Sequence, residues 1–188
     1  AVTTARFPAI ADHQMTPRQK EVAARIAEGP RGSVRGPFLP LLHNPDLADV
    51  VQQVGSYLRF RSTLPPALIE LAILLIARHW TCQFEWFAHE RIARTNTDLA
   101  DGIIRAIQRD EIPHDMSDPQ RVVHDYVLGT LRAGSPTGPV FEEAVQHFGR
   151  AGALDLTALC GYYSMLAFVL NTSETMPPDG QRPLRESP

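Results

Sequence analysis

A chain of 188 residues, 44% of them hydrophobic, is long enough for one substantial core and short for two. Its formal charge of −3 comes with cations that are scattered rather than gathered into the basic stripe a phosphate backbone demands, so nucleic-acid binding is not expected. The longest apolar run, Leu71 to Ala77, falls well short of a bilayer span, and the opening segment lacks both a basic and an apolar leader region. The expectation is therefore a cytoplasmic protein without a membrane partner. The two cysteines, Cys82 and Cys160, stand far apart in a chain that needs no staple, and no structural disulfide is expected.

In chain order, every segment with a clear period is helical and none alternates as a strand does, which predicts an all-α class. Thr16 followed by Pro17 caps a helix that runs to about Ala27. The stretch RGSVRGPFLPLLH is rich in Gly and Pro yet carries Phe38, Leu39, Leu41 and Leu42, so this loop must dock on the core. Asn44-Pro45 opens a helix to about Leu58, with Leu47, Val50, Val51 and Val54 along one stripe. Leu64-Pro65-Pro66 opens ALIELAILLIAR, apolar nearly all round and hence central. Thr81 is the candidate cap of CQFEWFAHERIAR, Thr97 that of DLADGIIRAIQR, and Ser117 that of a helix ending near Leu131. A short helix, VFEEAVQHF, and a long one, LDLTALCGYYSMLAFVLNT, complete a single domain of about seven or eight helices over residues 1–172. Residues 173–188, with four prolines, read as an extended or disordered tail.

The chemistry gathers in the middle. Glu70 lies amid LIELAILLI, where a carboxylate needs a partner or a proton; the purely structural accounts are a face that begins to turn to solvent, or a scaffold ion pair with Arg78 or another arginine. On the next helix, at about 100° per residue, Cys82, Glu85 and His89 fall within about 60° of one another, a single polar line flanked by Trp86. Cys82 in a first turn after Thr81 would sit where unpaired N–H groups stabilise a thiolate. Glu85 and His89 have the i, i+4 spacing at which a carboxylate fixes an imidazole tautomer and raises its pKa. The bland alternatives are a small buried cysteine and a surface Glu–His pair. These spacings match no closed zinc pattern, and no metal is assigned; a papain-like Cys–His pair would need partners from separate elements.

The spacing from Glu70 to Cys82, position 85 and His89 resembles the E-x11-C-x2-C-x3-H pattern of the alkylhydroperoxidase-D-like proteins, with glutamate in place of the second cysteine. In its ELAIL…ARHWTCQFEWFAHE context the chain resembles the carboxymuconolactone decarboxylase family of that superfamily, from about Phe38 to Leu170. The resemblance implies an all-helical bundle assembled as a homo-oligomer, commonly a trimer or hexamer, with a cleft beside the motif helix and a small-molecule substrate. Peroxidase-type members cycle a C-x-x-C dithiol, and Glu85 cannot act as the resolving thiol.

The expected activity is thus a lyase without metal or organic cofactor, decarboxylating a small carboxylated lactone or related ring. His89, oriented by Glu85, would be the general acid, and Glu70 would share its proton network. Arg35 would anchor a substrate carboxylate, with Arg31, Arg59 and Arg61 equally available, and His43 and Trp86 would line the cleft. Two alternatives stand beside it. One is a peroxidase or disulfide reductase that depends on Cys82. The other is a non-catalytic helical oligomer.

Overall fold

The structure, a computed structural model, describes residues 5–186. Residues 1–4 and 187–188, the outer ends of the predicted domain and tail, lie outside the described residues. Eight α-helices and no strand are found among the described residues, as the periodicity predicts. They are α1 (Pro17–Glu28), α2 (Phe38–Leu41), α3 (Pro45–Phe60), α4 (Pro66–His79), α5 (Gln83–Asn96), α6 (Asp101–Gln108), α7 (Asp118–Ala133) and α8 (Gly138–Thr172).

The helix starts follow local chemistry. The Thr16 hydroxyl accepts from the Gln19 N–H at 3.2 Å while the Gln19 side chain accepts from the Thr16 N–H at 2.9 Å, a reciprocal cap that fixes the head of α1. Asn44 caps α3 through the Leu47 N–H. Two predicted caps are corrected. Thr81 takes a left-handed conformation with φ 46° and lies in the tight turn between α4 and α5, so the cap position falls to Cys82. Thr97 closes α5 instead of opening α6: its hydroxyl donates to the Ala93 carbonyl at 2.7 Å and accepts from the Leu99 N–H. The two predicted final helices run together as α8 and are broken by Gly149, whose φ of 70° an L side chain rarely adopts.

Helix α4 is the axis of the bundle, buried continuously from Leu68 to Arg78 and packed against α5, α7 and α8. An all-round apolar helix has no face to spare for water, and α4 runs through the middle of the core. Helix α8 has the length and hydropathy of a membrane span, yet most of its apolar stretch is buried inside the protein. The loop before α3 docks as expected, with Phe38, Leu41 and Leu42 buried and Leu39 left exposed.

The chain after Thr172 is extended but not loose. Leu184 is only 2% exposed and belongs to the core. Its carbonyl accepts from Gln83 Nε2 at 2.8 Å and its N–H donates to Gln83 Oε1 at 2.9 Å. The Pro183 carbonyl accepts from Gln108, and that of Arg185 from Arg78. The composition of this tail reads as disorder because one apolar residue and three hydrogen-bonding carbonyls leave no periodic trace.

Candidate active site

Packing α4 against α5 brings Glu70 to His89. Glu70 Oε2 lies 2.7 Å from His89 Nδ1, and Glu85 Oε1, one helical turn before the histidine, lies 3.0 Å from Nε2. All three side chains are buried. Both ring nitrogens thus face carboxylate oxygens, an arrangement in which a doubly protonated imidazole donates on each side. Burial alone would favour the neutral ring. The charge and hydrogen bond of Glu70, joined by those of Glu85, outweigh it and raise the His89 pKa to about 9. The second oxygen of Glu85, Oε2, is buried without a hydrogen-bond partner.

His89 and Glu85 form part of the wall of a cavity of about 410 Å³, within the range of small-molecule sites. The remaining wall comes from the 31–38 loop, from Arg59 at the end of α3, from the outer side of α5 and from Tyr163 of α8. The Tyr163 ring meets His89 edge-on at 5.5 Å. Its burial holds the hydroxyl protonated well above the ordinary tyrosine range, against the pull of Arg59.

The sequence-predicted residues divide. Glu70, Glu85 and His89 come together, and Arg35 lines the cavity. Cys82 does not line it: the side chain is fully buried beside Trp80, Phe84, Ala167 and Leu170. Burial, followed by the charge of Glu85, pushes its thiol up to about 12, more than the Glu85 and Phe84 N–H groups can offset. The thiolate expected at the head of the helix is therefore not stabilised, because the helix end points the sulfur into packed side chains rather than toward solvent. Trp86 is corrected from the cleft to the core, where it is fully buried and donates to Glu90 at 3.0 Å. His43 is corrected as well: its ring pairs with the Pro8 carbonyl at 2.8 Å and with Phe7, outside the cavity lining. Tyr163 was missed, since a tyrosine in an apolar helix carries no local mark of a site.

A prediction follows for the thiols. Cys160 is buried too, with its pKa likewise pushed to about 12 by burial. At pH 8 the folded protein should react with iodoacetamide at least about a hundredfold more slowly than the unfolded chain, measured by mass spectrometry of each cysteine peptide. Labelling of Cys82 at the unfolded rate would show an accessible, activated thiol.

The all-helical fold is shared with solved structures of low sequence identity. The structure is similar to that of an uncharacterized peroxidase-related protein from Ralstonia eutropha JMP134, described as an alkylhydroperoxidase AhpD core, with a TM-score of 0.78 at 20% identity over 95% of each chain. A second uncharacterized peroxidase-related protein, from Silicibacter sp. TM1040, gives a TM-score of 0.73 at 16% identity over 95% of this chain and 96% of the other. A protein of unknown function from Agrobacterium tumefaciens gives 0.64 at 17% identity, over 73% of this chain and 94% of that one. No protein-family model and no curated protein matches the sequence.

Proposed function

We propose that this protein is a proton-transfer enzyme of the cofactor-free lyase kind, which decarboxylates a small carboxylated lactone or a related ring. The observation that carries the reading is His89 held between Glu70 and Glu85 in the wall of a cavity bordered by arginines. In such a reaction the C–C bond to the departing carboxylate breaks and CO₂ leaves without the electron pair. The pair delocalises through the conjugated C=C onto the lactone carbonyl, and a proton must then be delivered to carbon.

The geometry refines the roles expected from sequence. Both His89 nitrogens are occupied, so the proton leaves Nε2 by way of Glu85, whose Oε2 has no other partner. Glu70 holds the far nitrogen and keeps the ring charged, and solvent in the cavity restores the proton. A general acid–base relay of this kind contributes a factor of roughly 10²–10⁴.

The second reading, a Cys82-dependent peroxidase, is favoured by the names of two similar structures, both called peroxidase-related. The sealed, protonated Cys82 and the glutamate at position 85 weigh against it. The test is paired turnover by purified protein: loss of a 4-carboxymuconolactone with release of CO₂, and reduction of a hydroperoxide with a dithiol. The expected result is lactone turnover that falls about a hundredfold or more in His89→Ala and stays within about threefold in Cys82→Ser. Peroxide reduction abolished by Cys82→Ser, without lactone turnover, would replace this reading with the thiol one. Inertness in both assays would favour the non-catalytic oligomer.

A further inference from the structure

Four arginines border the cavity, Arg31, Arg35, Arg59 and Arg91, and none has a carboxylate partner among the described residues. Elsewhere the pattern is different: Arg18, Arg25, Arg94 and Arg121 each meet an acid. Among the described residues the only acid in the cavity wall is Glu85, which is already engaged by His89. With the histidine charged, the Glu70–His89–Glu85 unit carries a single net negative charge, so the arginines leave the cavity with a cationic excess that an anionic ligand would balance.

The four are not equivalent. Arg35 is an exposed loop side chain whose contact is a 3.2 Å bond to the Arg31 carbonyl. Arg31 is held by two side chains. Its guanidinium lies 4.5 Å from the centre of the Phe38 ring, and its Nη2 donates to the Tyr162 hydroxyl at 3.3 Å. That hydroxyl donates in turn to the Val51 carbonyl of α3 at 3.1 Å. The pair fits against α3 only because position 55 is glycine: a Cβ there would collide with both the Tyr162 hydroxyl and Arg31 Nη2. The Arg31 Nε–H, meanwhile, is buried and has no acceptor. A buried donor left unmade is costly, and an arriving carboxylate is the kind of group that relieves it.

We propose that Arg31 is the carboxylate anchor of the cavity, a guanidinium pre-positioned by Phe38 and Tyr162 in the notch that Gly55 leaves in α3. Arg35 is a peripheral cation with no anchoring role. The inference rests on the reading above for the identity of the cavity as the substrate site, and names the residue that selects a carboxylated substrate there. Pre-positioning matters because a guanidinium that is already held loses little freedom on binding.

The test is titration calorimetry with maleate as the probe, against neutral dimethyl maleate and inorganic phosphate. Maleate should bind at least about tenfold more tightly than either of the others. Arg31→Lys, which keeps the charge and loses the planar fork, should weaken maleate by about tenfold or more, whereas Arg35→Ala should change it less than about threefold. Tyr162→Phe, which removes the tether and no charge, should weaken maleate by about threefold or more, with thermal unfolding as the check that each variant is folded. Maleate binding undiminished by Arg31→Lys, or lost more in Arg35→Ala, would overturn the anchor; phosphate bound as tightly as maleate would overturn its preference for carboxylate. The two proposals fail separately. Arg31-dependent maleate binding with no lactone turnover would leave the anchor standing and remove the lyase. Lactone turnover unaffected in Arg31→Lys would do the reverse.

Discussion

Replacing His89 with alanine is expected to destabilise the protein by about 3–5 kcal/mol near pH 7, because it leaves two buried carboxylates without the cation between them. Glu70 and Glu85 are 5% and 3% exposed, so little water is present to take the place of the ring. The effect has a defined pH dependence. His89 has a folded pKa of about 9 against an ordinary value of 6.5, so its protonated form is the one the fold prefers. That contribution is complete below about pH 6.5 and is lost as pH rises through about 9. It amounts to on the order of 3 kcal/mol. Urea unfolding of the wild type at pH 6.5 and at 9.5 should therefore show a fall of this order, which His89→Ala should lack. Glu70→Gln keeps an acceptor for the Nδ1–H and removes the charge, so it should shift the fall to lower pH. A wild-type stability that rises across this interval would contradict the assignment of a charged ring.

The second large effect is expected far from the cavity. Leu184→Ala should cost about 2–5 kcal/mol, the range for emptying a fully buried leucine position. For a chain of this size that lowers Tm by about 5–15 °C, measured by differential scanning calorimetry. Leu184 matters beyond its own methyl groups. Its backbone satisfies both ends of the Gln83 side chain, and Gln83 follows Cys82 at the start of α5, two residues before Glu85. The extended arm thus holds the first turn of the helix that carries the site. Loss of the anchor should therefore also raise the hydrogen-exchange rate of α5 amides above that of α7. A Tm within about 2 °C of wild type would mean that the arm is not docked in solution.

What the sequence makes legible is what repeats or what pairs along one helix. The apolar periods place the helices, and the i, i+4 step predicts the Glu85–His89 contact at 3.0 Å without knowledge of the fold. Glu70 stands out because a carboxylate in LIELAILLI needs a reason, and the reason is His89 on the neighbouring helix. The misses share a different cause. On a helical wheel Cys82 belongs to the polar line and Trp86 flanks it, yet a wheel does not say which arc faces a cavity and which faces the packed helices α4 and α8. Arg31 is indistinguishable from Arg35 in sequence. What separates them is contact with Tyr162, 131 positions away, and a glycine on α3. His43 follows its loop to Pro8, a contact that no local pattern announces.

The same reasoning orders the two enzymatic readings. A thiol mechanism needs a sulfur that reaches solvent or substrate and gives up its proton, and the packing around Cys82 denies both. Proton transfer needs a group that holds a proton near its working pH and an open route from it. In the proposed reading His89 is that group, with Glu85 beside it in the cavity wall.

The most direct test is the protonation state of His89 itself, read by ¹⁵N–¹H NMR of selectively labelled histidine across pH 5 to 10. The account predicts a ring with both nitrogens protonated at pH 7.5, titrating near 9 and shifting downward in Glu70→Gln. A His89 ring that is neutral at pH 7.5, or that titrates at or below 6.5, would contradict it.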